Sequence, residues 1–271
     1  MPESLLKKET ITQLLLDRSM PHVTAESAAL LLPDRAIGVL LYGSYARGDF
    51  APDSDVDILL LRANPSGTVI KNGISVSTYT PDQLASATGT LFGMHLARDG
   101  IVLQDSDSCL RGLLDLMGQP VPEDLFGRIR HLAAVLDTLE EERARYLTGL
   151  TRIARYLLRT AIYVAAIKQG EPCFSVRELA VRFNDHDLVT LLSSRPDTSA
   201  TSATTSDEDL SQLVLRLRAA VGPLASNIHG SLRALIVAEW YEDPDRATLG
   251  ALILPRGEGA FDYAALQKVL L

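Results

Sequence analysis

Leu41-Tyr42-Gly43-Ser44-Tyr45-Ala46-Arg47-Gly48-Asp49-Phe50-Ala51-Pro52-Asp53-Ser54-Asp55-Val56-Asp57-Ile58-Leu59-Leu60-Leu61 decides how this chain is read. A Gly-Ser turn leaves one apolar strand, and ten residues later Asp55-x-Asp57 opens a second. Alternate residues of a strand share a face, so both carboxylates point the same way. Adjacent carboxylates repel unless a positive charge lies between them, and a hard divalent cation is the usual solution. The Gly-Ser turn ahead of them offers main-chain N–H groups able to hold phosphate oxygens.

The rest of the chain sets limits around this motif. Its 271 residues allow two domains, or one large one, each with its own core. Hydrophobic residues make up 46% and charged residues 22%, an ordinary globular balance. The net charge of −8 argues against a broad nucleic-acid surface, though not against a small basic pocket. Cys109 and Cys173 lie far apart without metal-ligand spacing, so a reducing, cytoplasmic setting is expected. The N-terminal residues lack the apolar core of a signal peptide, and no run is long enough for a membrane span.

Periodicity predicts an amphipathic helix over 3–18 and a short one over Ala25–Leu32, with Thr24 as N-cap and Pro33 as terminator. Strands are expected at Ala36–Tyr42, Asp55–Leu61 and Gly73–Thr80. In the third, Ile74, Val76 and Thr78 face one way and Ser75, Ser77 and Tyr79 the other. A helix begins at Pro81, a helical or loop segment covers Leu91–Arg98, and a short strand over Gly100–Gln104 precedes a helix at Cys109–Met117. The expected class is α+β, with a mixed sheet.

Gly118-Gln-Pro-Val-Pro is the expected boundary between domains 1–120 and 121–271. Everything beyond reads as helix: Glu123–Leu147, Leu150–Lys168, Val176–Phe183 behind a Ser175 capping pattern, Leu210–Val221 and Ser231–Tyr241. Residues 193–208, rich in Ser and Thr, are too polar and small to pack and are expected to form a mobile loop. Trp240, beside four carboxylates in Glu239–Asp245, is read as the aromatic anchor of a helix end.

The run Gly-Ser-Tyr-Ala-Arg-Gly-Asp … Ser-Asp-Val-Asp resembles the signature of the DNA-polymerase-β-like nucleotidyltransferase superfamily, in particular its minimal and antibiotic-modifying branch. The resemblance covers roughly residues 36–105. It implies that Gly43 and Ser44 hold the β- and γ-phosphates of a nucleoside triphosphate and that Asp55 and Asp57 bind Mg²⁺. Glycine permits the close backbone approach, and the serine hydroxyl adds a donor. Arg47 either contacts phosphate or pairs with Asp49 or Asp53 to stiffen the loop.

The family usually carries a third carboxylate on the next strand, which completes the metal site and helps deprotonate the attacking hydroxyl. Here that place falls on Ser75 or Ser77. Serine is a poor metal ligand and, unaided, no general base near neutral pH. Asp82, His95, Asp99 and Asp105 are the available substitutes; alternatively the acceptor needs little activation, or the domain binds nucleotide without turnover.

In the helical half, six basic residues and no acidic one occur from Arg143 to Lys168. Arg152, Arg155 and Arg159 form a stripe opposite Leu150, Ile153, Leu157 and Ala161. The stripe is either a solvated face or, as the resemblance implies, a contact for triphosphate or acceptor through Arg152 and Arg159. The expected activity is Mg²⁺-dependent transfer of a nucleoside monophosphate, AMP from ATP, to an acceptor hydroxyl on a small molecule or protein. An RNA 3′ end is a less favoured acceptor, and no membrane partner is expected. The alternative is a non-catalytic nucleotide-sensing or partner-binding module.

Overall fold

A computed structural model describes residues 3–52, 54–64, 66–192 and 206–255. The chain forms two compact units that divide between Pro120 and Val121.

The first unit is built on a mixed five-stranded sheet. Its strands are β3 (Gly38–Tyr42), β4 (Val56–Leu61), β5 (Thr68–Lys71), β6 (Ile74–Tyr79) and β7 (Ile101–Asp105), in the order β5-β6-β4-β3-β7. β4 and β6 run parallel, and the other neighbours are antiparallel. All five residues of β3 are buried, as a central strand covered on both faces requires. One face packs Val39, Leu41, Val56, Ile58, Ile74 and Val76 against helices α1 (Lys8–Leu16) and α2 (His22–Leu31). The other packs Leu40, Tyr42, Leu59, Leu61 and Tyr79 against α4 (Pro81–Ala85), α5 (Leu91–Asp99) and α6 (Cys109–Asp115). The alternation expected for the third strand therefore holds, and Ser75 and Ser77 lie on the same face as Tyr79.

The N-terminal segment corrects the expectation of one helix over 3–18. Ser4–Leu5 is a short strand, β1, paired with Arg35–Ala36, β2. The Glu3 carboxylate takes Arg62 and the Ala63 N–H, and the Leu6 N–H reaches the Asp34 carbonyl at 2.8 Å. With these long-range partners the helix starts only after Lys7. α2 likewise begins at His22, capped by Pro21 rather than Thr24, because proline presets the entry angle and forfeits no needed N–H. β5 was not expected. Asn72 and Gly73 join it to β6 with φ of 51° and 75°, the conformation an Asn-Gly hairpin turn demands.

The second unit is helical: α7 (Pro122–Leu132), a 3₁₀ turn (Ala133–Leu136), α8 (Glu140–Lys168), α9 (Val176–Arg182), α10 (Asp187–Leu192), α11 (Asp207–Val221), α12 (Leu232–Glu239) and α13 (Pro244–Ile253). The helix expected over Glu123–Leu147 is broken at 137–139. There the Asp137 carboxylate accepts the Asn227 N–H at 3.0 Å and Leu139 turns extended. Glu140, Glu141 and Glu142 then complement the dipole of α8. α8 runs through the break expected near 147–150, with only Tyr146 leaving helical geometry (φ −110°, ψ 16°). Leu150, Ile153, Leu157 and Ala161 are fully buried, as their stripe predicts.

Residues 193–205 of the expected Ser/Thr-rich loop lie outside the described residues. Ser206–Glu208 are described, and form the cap and first turn of α11 through a reciprocal Ser206–Asp209 capping box. Trp240 follows α12 and is 41% exposed. What holds this corner is the carboxylates: Asp243 caps α13 and accepts from Arg128 and His131, while Glu239 takes Arg246 and His229. No helix among the described residues is long and apolar enough to cross a membrane.

Candidate nucleotide-transfer site

β3 ends at Tyr42, and the chain turns at Gly43 with φ 77° and ψ −155°, a region open essentially to glycine alone. Ser44–Arg47 then make one helical turn, α3, which Gly48 ends in the left-handed region (φ 79°, ψ 13°). Tyr45 is buried and stacks on Phe50 at 4.3 Å, and the Ala51 N–H reaches the Ser54 hydroxyl at 2.7 Å. These contacts return the chain to the sheet at Val56, antiparallel to the strand it left.

That return sets the motif's geometry. Asp57 stands opposite Tyr42 in the β3–β4 ladder. Asp55 and Asp57 share the face of Leu59 and Leu61, because Val56, Ile58 and Leu60 belong to the opposite core. A Cβ placed on Gly43 would lie 2.8 Å from Asp57 Oδ2. The backbone of the turn therefore touches the carboxylate, which is the close approach that glycine was expected to permit. Asp55 is exposed and its Oδ1 lies beside Gly73, at the start of β6.

The parallel register distinguishes the two serines. Asp57 pairs with Ser75, while Ser77 lies one pleat further along beside Leu59 and accepts a hydrogen bond from Thr68 at 3.2 Å. Among the described residues no group of three or more His, Cys, Asp or Glu side chains could hold a metal. Two carboxylates on one face do fit Mg²⁺, which binds through one or two carboxylates and takes its remaining ligands from water and substrate phosphates.

Arg47 is drawn into a partly buried cluster. Its guanidinium lies 3.2 Å from Asp49 and 3.7 Å from Asp99, and donates to His95 Nε2 at 3.1 Å. The loop-stiffening alternative with Asp49 is thus present, and Asp99 joins it from α5. The i,i+4 spacing of His95 and Asp99 was the only sequence signal for that helix face. Asp105 accepts the Leu110 and Arg111 N–H groups and caps α6.

In the helical unit the arginine stripe meets helix C-termini. Arg152 donates to the Leu252 carbonyl near the end of α13, and Arg155 and Arg159 donate to the Leu191 and Leu192 carbonyls that end α10. A cation at a helix C-terminus satisfies open carbonyls and complements the dipole. All three arginines of the stripe thus donate to main-chain carbonyls.

Residues 31–80 match the family model of the nucleotidyltransferase domain. No curated protein matches the chain. Among solved structures, a nucleotidyltransferase-like protein from Exiguobacterium sibiricum is 16% identical over 73% of this chain and 72% of that one, with a TM-score of 0.29. The matched segment runs from the end of α2 through β6 and holds Gly43, Ser44, Asp55, Asp57 and Ser75. With its strand–Gly-Ser–strand turn and paired aspartates, this segment is similar to the nucleotidyltransferase domain.

Proposed function

We propose that this protein transfers a nucleoside monophosphate from a nucleoside triphosphate, ATP first among them, to a small-molecule or protein acceptor, releasing pyrophosphate. One observation carries the reading: the Gly43 turn lies against Asp57, on the sheet face that Asp55 shares. Gly43 and Ser44 bind the β- and γ-phosphates through main-chain N–H groups and the Ser44 hydroxyl. Asp55 and Asp57 would hold Mg²⁺, which, when bound, supplies neutralisation of triphosphate charge. Arg47 ties the turn to α5, keeping the phosphate cradle in register with the carboxylates.

The test is Mg²⁺-dependent ATP binding and pyrophosphate release, measured beside an Asp55→Asn/Asp57→Asn double variant. Binding and release that both collapse in the variant support the reading. ATP binding indifferent to the double substitution refutes the metal assignment. Ser75 beside Asp57 favours a second reading, a nucleotide-sensing module without turnover. Mg²⁺-dependent binding with no pyrophosphate release in the presence of any acceptor would select it.

A further inference from the structure

The strand registers line up one row of side chains across the sheet at the level of Asp57. Asp57 stands opposite Tyr42 on one side and beside Ser75 on the other, and Ser75 stands opposite Ile70 of β5. Paired residues share a face, so the row Tyr42–Asp57–Ser75–Ile70 lies on the face that carries the carboxylates. The Thr68 hydroxyl fixes the orientation of β5, because it donates to Ser77 on that same face at 3.2 Å. Along the row the surface opens: Tyr42 is 3% exposed, Ser75 9% and Ile70 61%.

The turn between β5 and β6 also reaches the carboxylates. The Val56 N–H bonds the Gly73 carbonyl at 2.9 Å, and a Cβ on Gly73 would meet Asp55 Oδ1 at 3.5 Å. A single exposed isoleucine by itself signifies little. This one stands two strand spacings from β4, about 10 Å, on the side away from β3 and its Gly43 turn. That side has a defined part in nucleotidyl transfer. With the β- and γ-phosphates on the Gly43–Ser44 cradle, the leaving oxygen is on the β3 side of the reacting phosphorus. Displacement in line puts the attacking oxygen on the opposite side, toward β6 and β5.

From this we infer that Ile70 is a specificity-determining contact for the acceptor, which carries an uncharged aliphatic group a few bonds from its nucleophilic hydroxyl. The inference rests on the nucleotidyl-transfer reading and adds to it the chemical class of the acceptor. The hydroxyl oxygen attacks the α-phosphorus, a new P–O bond forms, and the bond to the pyrophosphate oxygen breaks. Pyrophosphate leaves with that electron pair, and the hydroxyl proton passes to solvent. The aliphatic group meanwhile covers the open side chain of Ile70 and removes apolar surface from water.

The full chain is incubated with Mg²⁺, ATP labelled at the α-phosphate, and unbranched alcohols from methanol to 1-hexanol, and the alkyl esters of AMP are measured. Contact on one side of a methylene gives about half the gain of full burial, or about twofold per CH₂. The kcat/KM for the alcohol is therefore expected to rise about eightfold from 1-propanol to 1-hexanol. Ile70→Asn should flatten this rise and leave the KM for ATP unchanged. Val69→Asn is the control, because Val69 is 50% exposed on the opposite face of the same strand and should keep the rise. No dependence on chain length in the native protein overturns the inference, as does the same rise in Ile70→Asn or its loss in both variants. Absence of every alkyl ester also overturns it. Mg²⁺-dependent ATP binding then separates the two levels: if Asp55→Asn/Asp57→Asn abolishes it, the nucleotide site stands, and if binding is unchanged the underlying reading fails as well.

Discussion

Replacing Gly43 by alanine tests the contact on which the site depends. At φ 77° and ψ −155° the residue sits where a Cβ costs about 1–3 kcal/mol in backbone strain alone. The added methyl would also stand 2.8 Å from Asp57 Oδ2, 3.5 Å from its Cβ and 3.6 Å from its Cγ. Asp57 is anchored in the ladder opposite Tyr42, so its side chain must rotate or the turn must move. Overpacking of this kind costs roughly another 1–3 kcal/mol. Gly48→Ala is the internal control: it too has positive φ, but nothing lies within 4 Å of its Cβ. It should lose about 1–2 kcal/mol from strain and leave Asp57 in place. Urea titrations give the stabilities, and titration calorimetry gives ATP affinity with and without Mg²⁺. Gly43→Ala should be the less stable of the two and should lose Mg²⁺-dependent ATP binding, whereas Gly48→Ala keeps it. Equal stability losses with unchanged Mg²⁺-dependent binding in both variants would refute the argument that the turn and the carboxylate form one site.

Arg47→Ala should destabilise the chain by about 2–4 kcal/mol, read by urea titration, because it leaves Asp99 short of a partner at low exposure. A loss of ATP affinity without a loss of stability would make Arg47 a phosphate contact instead. Arg152→Ala and Arg159→Ala should each cost about 1 kcal/mol by removing donors to helix-terminal carbonyls. Their ATP affinity should be unchanged, and weaker binding at full stability would return them to the nucleotide site. Burial pushes the Asp243 carboxyl up, but hydrogen bonds from Arg128, His131 and the Arg246 N–H outweigh it and hold its pKa at about 2. The folded pKa lies below the unfolded value of about 3.9, so this contribution is present above about pH 4 and is lost as pH falls towards 2. Asp243→Asn should flatten the fall in melting temperature over that window; an unchanged slope would remove Asp243 from the acid-sensitive groups.

How much could be read in advance depended on the range of the interaction responsible. The strands β3, β4 and β6 were visible because their apolar residues and alternation are local. β5 was missed although Asn72-Gly73 is a strong hairpin signal, since Thr68–Lys71 is short, exposed and at the sheet edge. The helix expected over 3–18 failed for the opposite reason. Its periodicity was real, but Arg62, Asp34 and Ala63, some 28 to 60 residues away in sequence, claimed the first residues.

The same division runs through the site. Chain order and two-residue periodicity were enough to put Asp55 and Asp57 on one face and a glycine turn before them, because neither depends on anything beyond neighbouring residues. Three things needed tertiary structure. The β4–β6 register put Ser75, not Ser77, beside Asp57, since a two-residue shift keeps both serines on the same face and no local pattern forbids it. The fold brought Asp99 and His95 to Arg47 across half of the unit. In the helical unit, the positions of the α10 and α13 C-termini decided what the arginines of α8 bind. A sequence states which charges a face carries; the partners that neutralise them arrive from distant segments, and only packing places them.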